Sequence, residues 1–433
     1  MKILAIETSC DDTGIAILDA KKRGKKSHCL HMMANVIQSQ PIHTNYGGVF
    51  PMMAKREHGK NIVPVFEKAL RDAELFTPSA SGHSPFAERE GLKLKSKILK
   101  ILERENNLGE VFLEHIVKIK KPKIDAIAVT VGPGLEPALW VGISFAKALS
   151  LAWDLPLLPV NHMEGHILSI LMTDEGKIPE IQFPALSLLV SGGHTELVLI
   201  KDFGKYKIIG QTRDDAAGEA FDKVARMLAL PYPGGPEISK LANAQRRNIV
   251  TGSLAQAGET SREIFQQKNI RADGNNMQSG ELKISLPRPM IHSGDFDFSF
   301  SGLKTAVLYL IRDLEKEHSD ILKNVRMSQA IACEVEDSIV EVLTHKTIKA
   351  IEKHKIQTLI VGGGVSANTH LQKTLREKVK KTNPDTTVYF PTKKLSTDNG
   401  LMIAIAGYFN ALKKPIKKSR SLSSLKANGN LGF

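Results

Sequence analysis

The chain has 433 residues, of which 42% are hydrophobic and 24% are charged, and its formal net charge is +13. Such a length allows two or three domains with a large core, and no apolar run is long enough to span a bilayer. The sequence starts directly with an apolar strand and shows no signal or transit segment, so we expect a cytosolic protein. The excess of positive charge suits either a polyanionic partner such as nucleic acid or general solubility. The three cysteines form no CxxC pair, which argues against a disulfide framework and a cysteine-built zinc site.

Four segments define the predicted architecture. Residues 3–19 read as two strands around a polar turn, and residues 186–200 repeat that pattern around SGGHT. Residues 124–153 read as a strand, a Gly-Pro turn and an apolar helix, and residues 359–375 as a strand, a glycine-rich turn and a helix. Alternating strands and helices predict an α/β fold, and the repeated hairpin suggests two related lobes.

The predicted domain boundaries follow from this repeat. We expect an N-terminal lobe over 1–180 and a C-terminal lobe over 181–395, with a helix over 396–412 that returns to the first lobe. Residues 413–433 contain six Lys or Arg, no acid and many small polar residues, so we expect a disordered basic tail that can lie beside phosphates.

Two segments look inserted into the lobes. Residues 78–121 are charged and mostly helical in pattern, and residues 245–290 are polar with little periodicity. Both could be solvated surface loops or could contribute directly to binding a polyanion.

The segment NHMEGH contains His162 and His166, four residues apart. On a helix this spacing puts both imidazoles on one face, where they can bind one metal ion, although most such pairs are ordinary surface or core histidines. A zincin protease needs Glu directly after the first histidine, and that position is Met163. Glu164 lies about 100° further round the helix and is expected to point away.

Glycine turns follow several predicted strands. GGGVSA at 362–367 matches a dinucleotide fingerprint, but the candidate ribose-binding acid, Asp385, precedes the next strand instead of following it. No Walker sequence is present. The turns at 191–193, 233–236 and 362–364 could each be structural, and together they suit a nucleotide bound in an interlobe cleft.

Acidic residues occur at three of these places. Asp11 and Asp12 lie in the first turn, and Asp222 lies in a predicted helix that begins near residue 216. Asp398 is predicted in the first turn of a helix capped by Ser396 or Thr397. It could merely complement the helix dipole, or it could add a hard oxygen ligand to the two imidazoles, a set that suits iron, zinc or a similar divalent ion.

The motifs in their order resemble the tRNA threonylcarbamoyladenosine transferase family, from residue 1 to about 412. The matching segments are ETSCDDTGIAI (7–17), NHMEGH (161–166), LVSGGHTEL (189–197), DDAAGEAFDKVARML (214–228), YPGGP (232–236), FSFSGLKTAV (298–307), VGGGVSAN (361–368) and STDNGLMIA (396–404). Eight ordered motifs are far more specific than any single loop.

The resemblance implies a two-lobed fold of the actin, sugar-kinase and heat-shock-ATPase type. It also implies transfer of a threonylcarbamoyl group from threonylcarbamoyl-AMP to the exocyclic amine of the adenosine beside the anticodon, in tRNAs that read codons beginning with A. Members were once described as glycoproteases because of their HxxxH motif. Bacterial relatives act with a paralogous non-catalytic subunit and a small ATPase, so these partners are expected.

The resemblance also implies residue roles. His162, His166 and Asp398 would bind one divalent metal ion, by resemblance iron, with zinc or magnesium as alternatives. The acyl-adenylate would be bound by Leu189, Val190, Ser191, Gly192, Gly193, Asp222, Gly235 and Asn368. Asp11 and Asp12 are candidates for the general base by position only.

The chain departs from the family pattern at two positions. Many members have Asp where this chain has Ser239, which puts one substrate contact in doubt, and Met52 replaces an acid whose role is unknown. Three other functions remain open: an ATPase or sugar-kinase relative, a metalloprotease, and a non-catalytic tRNA-binding paralogue. The histidine pair disfavours the first and last, and Met163 disfavours the second.

Overall fold

The computed structural model describes residues 1–23, 28–78, 89–105, 107–116, 118–173, 176, 178–250, 284–317, 324–413 and 422–433. The described chain divides into two compact units. Unit 1 comprises Met1–Ile181, Phe203–Lys205 and Pro391–Phe433, and unit 2 comprises Gln182–Asp202 and Tyr206–Phe390. Most of the predicted insertion at 245–290, from 251 to 283, lies outside the described residues, as do 79–88 of the first insertion and 414–421 of the tail.

Unit 1 is built on a five-stranded sheet in the order β3-β2-β1-β4-β5. Strand β2 is antiparallel to both β1 and β3, whereas β4 and β5 run parallel to β1. The strands are β1 Lys2–Glu7, β2 Asp12–Lys22, β3 His28–Ser39, β4 Ala126–Gly132 and β5 Leu157–Asn161. The helices are α1 Pro51–Asp72, α2 Arg89–Leu102, α3 Leu108–Val111, α4 Glu136–Trp153, α5 His162–Leu168 and, after unit 2, α11 Gly400–Lys413.

Helix α4 is central to this unit because it is apolar on nearly every side. Its residues from Ala138 to Leu149 are all buried apart from the partly exposed Trp140. Phe145 packs edge-on against Phe66 of α1, with ring centroids 5.5 Å apart. Burial of each such ring contributes about 1.5–3 kcal/mol, so the α1–α4 contact fixes the helical layer on the sheet.

Unit 2 repeats the same strand order as β8-β7-β6-β9-β10. Here β6 pairs antiparallel with β7 and parallel with β9, as β1 does with β2 and β4. Its strands are β6 Ala185–Val190, β7 Thr195–Asp202, β8 Lys205–Gln211, β9 Thr358–Gly362 and β10 Thr387–Tyr389. Its helices are α6 Ala217–Met227, α7 Gly234–Val250, α8 Ser301–Glu317, α9 Val325–His354 and α10 Thr369–Thr382.

The α/β class and the repeated hairpin are therefore confirmed. The interlobe nucleotide cleft stays a prediction, as do the boundaries at 180 and 395. No helix in the described parts of the chain combines the length and apolarity needed to cross a membrane.

The two ends of the first predicted insertion are joined by backbone contacts. Pro78 and Ile119 form an isolated antiparallel bridge, and the Lys120 N–H donates to the Thr77 carbonyl oxygen over 2.9 Å. The intervening chain contains α2 and α3, and Leu102 and Phe112 within it are buried in the core of unit 1. Its described part is thus more than a solvated loop.

The expectation of a disordered tail is wrong for residues 422–433. Leu425 and Ala427 pack against the core of unit 1, and the Lys147 ammonium donates to the Leu425 carbonyl oxygen over 2.7 Å. The prediction rested on composition, which misses two apolar side chains and backbone groups that find partners on β4.

Candidate metal centre and substrate site

Helix α5 carries the two histidines at the end of strand β5. Asn161 begins the helix as its N-cap, because its Oδ1 accepts the N–H groups of Met163 (2.8 Å) and Glu164 (3.2 Å). His162 and His166 are both buried, and their ring centroids lie 4.6 Å apart. The i, i+4 spacing thus places both imidazoles on one face, as the sequence predicts.

Asp398 completes the group. Its Oδ1 lies 3.4 Å from His162 Nε2 and 3.2 Å from His166 Nε2, and the three candidate ligand atoms all lie within 4.8 Å of one another. In the described chain this is the sole cluster of three or more His, Cys, Asp or Glu with such spacing.

The predicted caps next to Asp398 are wrong. Helix α11 begins at Gly400. Its first turn is capped by Asn399, whose Oδ1 accepts the Met402 N–H at a distance of 3.0 Å. Ser396 instead donates to the Thr392 carbonyl oxygen over 3.1 Å. Asp398 consequently precedes the helix, where its carboxylate can turn towards the histidines.

The three side chains fit a divalent ion. Ligand atoms bound at about 2.0–2.2 Å with angles of roughly 90–110° lie about 3–3.5 Å from one another, as the histidine–Asp398 distances do. Neither buried ring nitrogen of His166 has a hydrogen bond of good geometry among the described residues, although Nε2 lies 3.2 Å from Asp398 Oδ1. A buried polar atom of this kind is costly unless something binds it, and a metal ion at Nε2 would do so.

Glu7 contacts the candidate ligand His162, a role that the sequence analysis above does not predict. This fully buried residue ends β1, and its Oε2 lies 3.2 Å from His162 Nδ1 and accepts the Thr130 hydroxyl over 2.6 Å. Ser9 Oγ also lies 3.1 Å from His162 Nδ1. A carboxylate at Nδ1 fixes the tautomer and leaves Nε2 free to bind metal. The available signal was an acid that ends a buried apolar strand.

The charges at the centre stabilise one another. Burial opposes ionisation of Asp398, but the neighbouring His162 holds the pKa of that carboxyl well below its usual range. Burial likewise opposes protonation of His162, yet Asp398 and Glu7 raise its pKa to about 10. Without metal, a proton on His162 balances the two carboxylates, so a metal ion must displace that proton.

Asp11 lies in the turn between β1 and β2 of the same unit, and Asp12 begins β2. Burial and the charge of Asp398 raise the pKa of Asp11, and burial raises the pKa of Asp12 to about 7. The turn is held by His58 of α1, whose Nδ1 lies 2.8 Å from Thr13 Oγ1 and whose Nε2 lies 2.9 Å from the Cys10 carbonyl oxygen.

The geometry disfavours a zincin-type protease. Met163 follows the first histidine, and the Glu164 carboxylate accepts the Asn410 side-chain amide over 2.8 Å. Glu164 is therefore occupied in a contact with α11, as expected from its position round the helix.

Unit 2 brings the glycine turns into mutual contact. A Cβ on Gly363 would lie 2.5 Å from the Val190 carbonyl oxygen, and the Gly218 N–H donates to the Ser191 carbonyl oxygen over 3.2 Å. These contacts join the 362–364 turn and the start of α6 to the end of β6, where Leu189 and Val190 are buried. Gly192 and Gly193 face open space, so a ligand could approach their backbone closely.

The Asp222 side chain fixes the remaining glycine turn, at 233–236. Its Oδ1 accepts the Gly234 N–H over 2.7 Å, so the carboxylate fixes the start of α7 beside Gly235. A Cβ on Gly234 would lie 2.3 Å from the Ala225 Cβ, which explains the glycine there by packing alone.

Asn368 is linked to α7 through Ser239, the residue that stands where the family pattern has Asp. Its Nδ2 donates to Ser239 Oγ (2.9 Å) and to the fully buried Glu336 (2.6 Å), while its Oδ1 accepts the Leu371 N–H as the N-cap of α10. The Ser239 hydroxyl donates to Glu336 over 2.7 Å, and Arg246 forms an ion pair with the same carboxylate. Serine at 239 therefore serves an internal network instead of adding an acid.

The fold and these groups define an α/β protein with a buried histidine–carboxylate cluster that could hold a metal ion in one unit and linked glycine turns in the other. The profile of the family described as tRNA N6-adenosine threonylcarbamoyltransferase matches residues 31–78 and 110–405. The chain belongs to this family, and it is an enzyme.

Curated relatives of the same description extend the match. The chain is 39% identical over 420 residues to the protein of Burkholderia thailandensis, covering 97% of this chain and 95% of the relative. It is 38% identical over 407 residues to that of Chromobacterium violaceum, covering 94% and 92%. The nucleotide-bound full-length HypF structure aligns with 95% of this chain and 46% of its own at 14% identity and a TM-score of 0.38, which is too low to carry an argument.

Proposed function

We propose that this enzyme transfers the threonylcarbamoyl group of threonylcarbamoyl-AMP to the N6 amine of the adenosine beside the anticodon. The tRNAs concerned would read codons beginning with A, and AMP would be released. The observation that supports this most directly is the convergence of His162, His166 and Asp398, because the alternative kinase-type activities of this fold need no histidine pair.

The bond changes are simple. The adenosine amine nitrogen bonds to the carbamoyl carbon, and the bond from that carbon to the AMP phosphate oxygen breaks. AMP leaves with the bonding electrons, and the amine proton passes to a base. A divalent ion held by the two histidines and Asp398 would supply a Lewis acid that polarises and orients the carbamoyl group.

The residues of unit 2 would bind the adenylate. The backbone N–H groups of the Ser191–Gly193 turn, with Leu189, Val190 and Gly235 beside it, suit a phosphate and its ribose. Asp222 would repel a phosphate, so we assign it to ribose hydroxyls or to the N–H of the threonine nitrogen. Since Asn368 is already committed to Ser239, Glu336 and Leu371, its side chain would act chiefly by fixing the turn.

Asp12 is the better of the two candidate bases. A base works best with a pKa near the working pH, and burial raises the pKa of Asp12 to about 7. Asp11 stays a second candidate. The base would accept the amine proton and release it to solvent.

The partners and the metal are proposed by resemblance. Iron is the expected ion, with zinc or magnesium as alternatives, and a paralogous non-catalytic subunit and a small ATPase are the expected protein partners. The positive net charge suits the tRNA substrate. The cytoplasm is the proposed location of the reaction.

The decisive experiment supplies purified threonylcarbamoyl-AMP, tRNA and the full chain with its expected partner subunits, followed by mass analysis of the digested nucleosides. The expected product is threonylcarbamoyladenosine, formed only in tRNAs that read A-starting codons. The Asp398→Ala protein is the matched control. Unmodified adenosine despite bound metal and adenylate would overturn the proposal, and ATP hydrolysis without tRNA modification would favour the kinase-type alternative.

A further inference from the structure

The C-terminal segment, residues 425–433, lies against the strand ends that carry the metal centre. The Asn428 N–H donates to the Val131 carbonyl oxygen of β4 over 2.9 Å. Gly132 makes room for this contact, since a Cβ there would lie 1.9 Å from the Asn428 carbonyl oxygen. The segment is thus fitted to the loop between β4 and α4.

One line of contacts runs from this segment to helix α5. The Gly432 carbonyl oxygen accepts the Asn161 Nδ2 over 3.1 Å. The other end of the same amide, Oδ1, caps α5 at Met163 and Glu164. The contact with Gly432 therefore sets the orientation of the amide that begins the helix of His162 and His166.

A second line reaches His162 from the other side. The Gly429 carbonyl oxygen accepts the Gly134 N–H over 3.1 Å, and the next residue, Leu135, donates its N–H to the Ser9 carbonyl oxygen over 2.7 Å. Ser9 Oγ lies 3.1 Å from His162 Nδ1. Two separate chains of contacts therefore lead from the C-terminal segment to one metal ligand.

The segment begins beyond residue 405, where the family profile stops matching. Its contacts cannot be read from the family motifs. They are made mainly by backbone groups, and Lys147, whose ammonium binds the Leu425 carbonyl oxygen, is nearly buried.

We propose that residues 425–433 are a positioning element of the metal centre. By orienting the Asn161 amide and the loop that supports Ser9, the segment holds helix α5 so that His162 and His166 point at Asp398. Loss of these contacts should lower metal affinity without removing any ligand. The inference rests on the proposed metal site.

The test compares the full chain with a chain that ends at Arg420. This truncation keeps five of the six basic residues of the tail, so an effect on phosphate binding is separated from an effect on α5. Metal affinity is measured with Fe²⁺ and Zn²⁺ against a chelator, together with the melting temperature of the metal-free protein and hydrogen exchange of the α5 amides. We expect the metal dissociation constant to rise about tenfold, at the lower end of the range for loss of outer supporting contacts, and the α5 amides to exchange faster.

Two further proteins guard against simple misfolding. Asn428→Pro removes the N–H that binds Val131, together with the side-chain oxygen that accepts the Asn430 N–H, and should reproduce the loss, whereas Lys426→Ala, at an exposed side chain, should not. The peptide SLSSLKANGNLGF added to the truncated chain should restore affinity, and a scrambled peptide should not. Unchanged metal affinity and α5 exchange in the truncated chain would overturn this inference alone. No metal binding by the full chain would remove the proposed centre as well.

Discussion

Glu7 Oε2 lies 3.2 Å from His162 Nδ1, so the last residue of strand β1 is bound to the first residue of helix α5. The two residues are 155 positions apart in the chain. The pair ties the candidate metal ligand to the centre of the sheet, and the Thr130 hydroxyl fixes the carboxylate from β4.

Replacing Glu7 should therefore weaken metal binding. We expect Glu7→Gln to raise the metal dissociation constant about 10–100-fold, because the loss of a supporting carboxylate lowers the basicity of the imidazole. Chelator competition measures this. Glu105→Gln is the control, since Glu105 is equally buried in unit 1 but pairs with Lys55. Equal affinity of the Glu7 variant and the parent would reduce Glu7 to a structural residue.

Removal of a ligand should have a larger effect than removal of Glu7. His162→Ala, His166→Ala and Asp398→Ala should each lose bound metal and transferase activity while the protein stays folded, because three ligands are the minimum for an ion with open positions. Elemental analysis measures the bound metal, and circular dichroism shows whether the protein stays folded. Glu164→Gln, on the same helix but facing Asn410, should keep its metal. Full occupancy in the Asp398 variant would exclude Asp398 from the centre.

Asp222 can be tested for two roles at once. Asp222→Ala should weaken adenylate binding by roughly 1.5–3 kcal/mol, the range for a hydrogen bond to a charged group. Asp222→Asn keeps an acceptor for the Gly234 N–H, so it should retain stability but not affinity. Calorimetric titration with a non-hydrolysable adenylate analogue measures the affinity of both variants. If the Asn variant binds as tightly as the parent, Asp222 serves only to hold the turn.

Ser239 should contribute to stability through Glu336. Ser239→Ala removes one donor from a buried carboxylate, and we expect a loss of about 1–3 kcal/mol in the free energy of unfolding. Ser187 is the matched control, since its buried hydroxyl has no hydrogen-bond partner in the described residues, and Ser187→Ala should be neutral or stabilising. Urea denaturation measures both. A neutral Ser239 variant would show that Arg246 and Asn368 suffice.

His58 should make the protein less stable in mild acid. Burial lowers its pKa to about 4, below the value near 6.5 of the unfolded chain, and its two hydrogen bonds satisfy the neutral ring. The unfolded state therefore takes up the proton first, so this contribution is complete above pH 6.5 and is lost as the pH falls towards 4. The stability lost in this way amounts to about 2 kcal/mol at pH 5. The fall in unfolding free energy between pH 7 and pH 5 should shrink in His58→Asn, and an unchanged fall would refute this assignment.

The sequence alone predicts those structural features that depend on residues close together in the chain. The spacing of His162 and His166 predicted their common face, and the strand–turn–strand repeats predicted the doubled sheet. Glu7 was missed because its role depends on His162, which lies far away in the chain. Ser396 and Asn399 are both good caps, and only the contacts of the folded chain decide between them. The order of residues 425–433 likewise depends on partners in β4 that composition does not record.

The contact between the two ends of the first insertion indicates where additional chain can be inserted into this fold. The connection from α1 re-enters the sheet at the amino end of β4, whereas Glu7 and His162 belong to the opposite, carboxyl ends of the strands. Because Pro78 and Ile119 are bridged, chain added between them need not move β4, whereas loss of α2 and α3 would remove Leu102 and Phe112 from the core. Protein engineers could accordingly place a reporter or an affinity sequence between residues 79 and 88 and leave both termini native.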